Sequence, residues 1–82
     1  MDTNRNNLNF KKLRAAMLLR TDDIVAICRH GGYQASRSIA QRWGLSQDAG
    51  PGRYAVMTDE AFDAFCGGLR TWLIEQETND DK

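Results

Sequence analysis

Six apolar residues, Phe62, Phe65, Cys66, Leu69, Trp72 and Leu73, recur at i, i+3, i+4, i+7, i+10 and i+11 near the end of the chain. That spacing is one face of a 3.6-residue helical repeat. Start signals precede it. Thr58 is the expected N-cap, Asp59 and Glu60 sit in the first turn, and Met57 and Phe62 occupy the N′ and N4 positions of a hydrophobic staple. A helix with so broad an apolar stripe must be covered by other elements. Gly67-Gly68 interrupts it. Each glycine costs about 1 kcal/mol relative to Ala inside a helix, so the pair implies a second backbone passing close by, or a kink.

Three shorter helices are available to cover the stripe. The first is expected from Leu8 to Leu19, capped by Asn7, with Phe10, Leu13, Met17 and Leu18 on one side and Lys11, Lys12 and Arg14 on the other. The second begins at Thr21, read as its cap, carries Asp22 and Asp23 at its start, and ends at Gly31-Gly32. The third is capped by Ser36, turns Ile39, Ala40 and Trp43 inward and stops at Gly44. A loop over 46–57 follows, with Ala-Gly-Pro-Gly at 49–52 as its turn and a brief extended piece around Tyr54–Val56. The reading is an all-α four-helix domain with a helix-turn-helix-like outline over 7–76, between flexible tails at 1–6 and 77–82, the latter acidic. Its expected core is Phe10, Leu13, Met17, Ile24, Ile27, Cys28, Ile39, Trp43, Phe62, Phe65, Cys66, Leu69 and Leu73.

Eighty-two residues allow one domain. No apolar run reaches the roughly 18–20 residues of a membrane span. The N-terminal Met-Asp-Thr-Asn-Arg-Asn-Asn lacks the apolar core of a secretory signal, so a cytoplasmic protein with two reduced thiols is expected. One His and two scattered Cys do not make a metal-ligand set. No nucleophile–base pair and no phosphate-cradling glycine loop followed by Lys is present. Neither an enzyme nor a cofactor is expected.

The elements Leu-Arg at 13–14, Asp-Asp-Ile-Val at 22–25, Gly-Gly-Tyr at 31–33, Ser36, Trp43, Pro-Gly at 51–52, Tyr54, Thr-Asp-Glu at 58–60, Phe62, Phe65, Gly68 and Leu69 together resemble the repeat unit of the bacterial YehS-like family. That family is a domain of unknown function usually found in two tandem copies. The resemblance spans about four-fifths of the chain. It implies a small helical domain and no catalytic residues. With one copy here, it also implies that a homodimer would restore the packing of the tandem pair.

Two functions are open. The first is DNA binding. The second helix, the glycine turn and the third helix have the gross layout of a helix-turn-helix, though the turn is one or two residues too long. Gln34, Ser36, Arg37, Ser38, Gln41 and Arg42 are of the types that reach bases and phosphates, with Arg29 and the basic side of the first helix holding the backbone. The formal net charge is zero, but residues 1–53 hold nine basic and four acidic groups, a net of +5, and residues 54–82 two and seven, a net of −5. A basic front with an acidic back suits a one-faced binder. The second function is a protein-interaction module, a homodimer or a small inhibitor of a larger partner, anchored by Tyr33, Trp43 and Tyr54.

Overall fold

The computed structural model describes residues 4–45 and 52–80. They form α1 (Arg5–Ala16), α2 (Thr21–His30), α3 (Arg37–Trp43) and α4 (Asp59–Asp80), with no strand among the described residues. The fold is all-α, as the periodicity implies. α4 lies along α2, α3 packs on α2, and α1 closes against α3 and α4. Residues 54–58, where an extended piece is expected, are irregular. Of the 49–52 turn only Gly52 is described, with φ +76°; the rest of that expectation falls outside the described residues.

Three rings meet at the centre. Phe10 stands edge-on to Trp43 at 5.8 Å and to Phe65 at 5.1 Å between ring centroids. Ile24, Ile27, Cys28 and Met57 are fully buried around them. Leu13, Met17, Ile39, Phe62 and Leu69 pack half-buried on this cluster. Cys66 and Leu73 are corrections, since both are exposed. The face of α4 toward α2 carries Ala61, Phe65, Gly68 and Trp72, and at 100° per residue Cys66 and Leu73 lie round the far edge of the stripe.

Helix ends account for the other differences. Asn4 caps α1, its Oδ1 accepting from the Asn7 amide at 3.3 Å, so α1 starts inside the stretch expected as a tail. α1 ends at Ala16 rather than Leu19. Leu18 takes φ +54°, its N–H donating to the Ala15 carbonyl and that of Leu19 to Arg14. This Schellman turn buries Leu19 and leaves Leu18 86% exposed, against the expected inward Leu18. α2 closes in the same way at Gly32 (φ +86°), with Gly32 N–H donating to Arg29 and Tyr33 N–H to Cys28. At its start Thr21 is already helical and is not the cap; Arg20 stands at the cap position, its amide donating to the Asp23 carboxylate at 2.9 Å. Ser36 and Thr58 cap α3 and α4 as expected, accepting from Ile39 at 3.0 Å and Ala61 at 3.1 Å. α4 runs on to Asp80, through residues expected as a tail.

Two contacts hold these helices in place. The first is a crossing of bare backbone. A Cβ on Gly68 would run into the Ile27 carbonyl and lie 2.7 Å from the Gly31 nitrogen. A Cβ on Gly31 would run into the Ala64 carbonyl, with the Ala64 Cα 2.9 Å away. Each helix thus sets a glycine against the carbonyl of a residue four positions earlier in the other. Gly67 faces open space. The second contact is Asn7, fully buried in α1. Its Nδ2 donates to the carbonyls of Trp43 at 3.0 Å and Ala55 at 2.9 Å, and its Oδ1 accepts from the Met57 amide at 2.8 Å. Asn6 adds bonds to the Met57 carbonyl and the Asp59 carboxylate.

Candidate nucleic-acid interface

α3 is a short helix with its inner side fully committed. Ala40 and Trp43 are buried and Ile39 is half-buried, which leaves Arg37, Ser38, Gln41 and Arg42 exposed. Residues 31–36 separate α2 from α3, longer than the 3–4-residue turn of a helix-turn-helix. Ala35 is buried and anchors that connection.

Beside α3 lies a broad depression of about 480 Å³, open to solvent. Ser38, Gln41 and Arg42 line it from α3, Arg14 from α1, Thr21 from the start of α2, and Arg53 from the segment before α4. Three arginines therefore border one hollow, and no carboxylate is among the described residues that line it. The described acids before residue 54 are Asp22 and Asp23. Arg37 is ion-paired to Asp22, and Asp23 faces the amide and side chain of Arg20. Arg14, Arg42 and Arg53 have no salt-bridge partner among the described residues. Closely spaced cations raise the local potential and attract a polyanion, while the hydroxyls and the amide supply neutral hydrogen bonds.

The expected contact residues are thus divided. Ser38, Gln41 and Arg42 converge in the depression. Ser36 is exposed, but its hydroxyl is used as the α3 cap. Arg37 is exposed, but its charge is engaged by Asp22. Arg29 and Gln34 border a separate hollow of about 240 Å³ with Val25 and Ala35. Of the expected interaction anchors, Trp43 is 1% exposed and offers no surface to a partner. Tyr33 is half-buried, tilted against Trp43 at 6.2 Å, and Tyr54 is half-buried. Sequence reading placed Arg14 on the basic side of the first helix but missed Thr21 and Arg53. Arg53 follows a Pro-Gly turn, and only the tertiary fold shows where that turn delivers it.

Among the described residues no group of three His, Cys, Asp or Glu is placed to hold a metal ion, and no helix is long and apolar enough to cross a membrane. Both cysteines are free thiols. Burial pushes the Cys28 thiol up to about 11. Cys66 is raised by desolvation and by the neighbouring Asp63 carboxylate. His30 pairs with Glu75 at 2.6 Å, linking the end of α2 to α4.

No protein-family model, curated protein or solved structure matches the chain.

Proposed function

We propose that this chain is a non-enzymatic regulatory module that binds the phosphate backbone of DNA in the arginine depression, with α3 against the duplex. The observation that carries the reading is the grouping of Arg14, Arg42 and Arg53 around one hollow that no carboxylate lines among the described residues. Phosphates bridge such guanidiniums through charge-assisted bonds, and Gln41 beside them is of the right type to reach a base edge. The acidic charge of residues 54–82 turns the rest of the molecule away from the same polyanion.

The test is duplex binding by fluorescence anisotropy across a salt series. Each phosphate contact contributes a slope of about −0.9 in log K against log salt, so Arg42→Ala plus Arg53→Ala flattens the slope by about 2. The helical circular dichroism is unchanged, because both side chains are exposed. Arg37→Ala is the internal comparison and leaves the slope as it is, since Asp22 already holds that charge. Absence of any binding at about 50 mM salt, where phosphate contacts are strongest, overturns the reading.

A further inference from the structure

We propose that α4 pairs antiparallel with α4 of a second copy of this chain, through the face opposite the glycine crossing. α4 is apolar on two sides. Ala61, Phe65, Gly68 and Trp72 meet the core, while Cys66, Leu69, Leu73 and Ile74 border a shallow groove of about 520 Å³ on the outside, together with Arg70 and Glu77. Leu73 and Ile74 are 40% and 51% exposed. Leu73, Ile74, Gln76 and Glu77 are exposed, while Glu75 reaches back to His30 of α2. The groove runs from Cys66 to Glu77, roughly 16 Å of helix at about 1.5 Å per residue.

Charge selects the occupant. Each copy brings the net −5 of residues 54–82, which opposes pairing, so the match that selects the partner must be local. Arg70 and Glu77 are equally spaced about the midpoint between Leu73 and Ile74, and neither has a salt-bridge partner among the described residues. A two-fold axis through that midpoint lays the helix antiparallel on its copy. Leu73 and Ile74 then meet across the axis, and Arg70 stands beside the partner's Glu77 on either side of them. A parallel pairing instead sets Arg70 against Arg70 and Glu77 against Glu77. The stripe is short, so the dimer is weak, with a dissociation constant on the order of tens of micromolar. This proposal does not depend on the DNA reading, since the two surfaces share no residue.

Sedimentation equilibrium of the full chain, over about 5 to 200 µM, brackets that affinity and tests the pairing. The mass of the unmodified protein rises toward two chains, and Leu73→Asp holds it at one. Arg70→Glu and Glu77→Arg each weaken association several-fold, and the double exchange restores it. Thermal melts of all four variants show that the exposed substitutions leave the fold intact. Monomer at every concentration overturns the proposal. A dimer that survives Leu73→Asp, or a double exchange that does not restore association, overturns it equally.

Discussion

Where α2 crosses α4, backbone meets backbone and no side chain stands between; where α1 meets α3 and the segment before α4, one buried side-chain amide ties three backbone groups together. The first joint works by absence. Gly31 and Gly68 have nothing to offer except room, and each uses it to admit the other helix's carbonyl. The second works by chemistry. Asn7 satisfies the last carbonyl of α3 and a carbonyl and an amide of the segment before α4, which would otherwise lack these partners. A joint made of space fails when an atom is added. A joint made of hydrogen bonds fails when polarity is removed, even if the volume is kept.

The glycine joint carries the largest expected effect. Gly68→Ala adds one methyl group against backbone that has no rotamer to move into, so the helices must separate. The cost is about 4 kcal/mol, beyond the usual overpacking penalty because the obstacle is main chain. For a chain of this size, with a total stability of roughly 4–12 kcal/mol, that leaves a substantial unfolded population at physiological temperature. Gly31→Ala behaves alike. Its φ of −86° suits alanine, so any loss reports the clash with Ala64 and not backbone strain. Urea denaturation followed by circular dichroism measures both. A midpoint unchanged in either variant breaks the account of this crossing.

The asparagine joint comes next. Asn7→Leu keeps nearly the same volume and removes all three bonds, stranding the carbonyls of Trp43 and Ala55 and the amide of Met57. Allowing for partial relaxation toward water, the expected cost is about 2–3 kcal/mol. Hydrogen exchange sharpens the comparison. In Asn7→Leu the Met57 amide loses protection at a denaturant concentration where α2 and the first turns of α4 keep theirs. Uniform loss across the molecule shows instead that the two joints are one cooperative unit.

These joints were not equally legible in the sequence. Gly-Gly inside a strong apolar stripe is a local contradiction, and the contradiction announces a close approach. Its partner, Gly31, reads as an ordinary helix terminator, because nothing local says that its missing side chain faces Ala64. Asn7 sits in an Asn-rich, apolar-poor leader and reads as a cap, because its three partners come from residues 36 to 50 positions away. The candidate site divides in the same way. Ser38, Gln41 and Arg42 follow from the phase of α3 against its buried Ala40 and Trp43. Arg53 does not follow from any phase, and the engagement of Arg37 by Asp22 depends on where α2 starts. Leu18 illustrates the limit for backbone: α1 and α2 end in the same turn, yet only α2 announces it with a glycine.

The smallest effect has the most diagnostic sign. Gly67 adjoins Gly68 in the same helix, yet a Cβ there meets nothing within 4 Å. With no packing to lose, Gly67→Ala reports helix propensity and the reduced freedom of the unfolded chain. Both favour Ala, by up to about 1 kcal/mol, or roughly 4–8 °C in Tm for a domain of this length. The same substitution at adjacent positions should therefore move stability in opposite directions. Measurement at low micromolar concentration, below the proposed self-association, keeps the comparison within one chain. If Gly67→Ala destabilises as Gly68→Ala does, the helix is kinked at the pair, and local geometry rather than the neighbouring backbone is what requires glycine there. If only Gly68→Ala destabilises, the demand for glycine belongs to a single residue on the side of α4 that meets α2, and the outer side, including Cys66 and Leu73, is left available for a second chain.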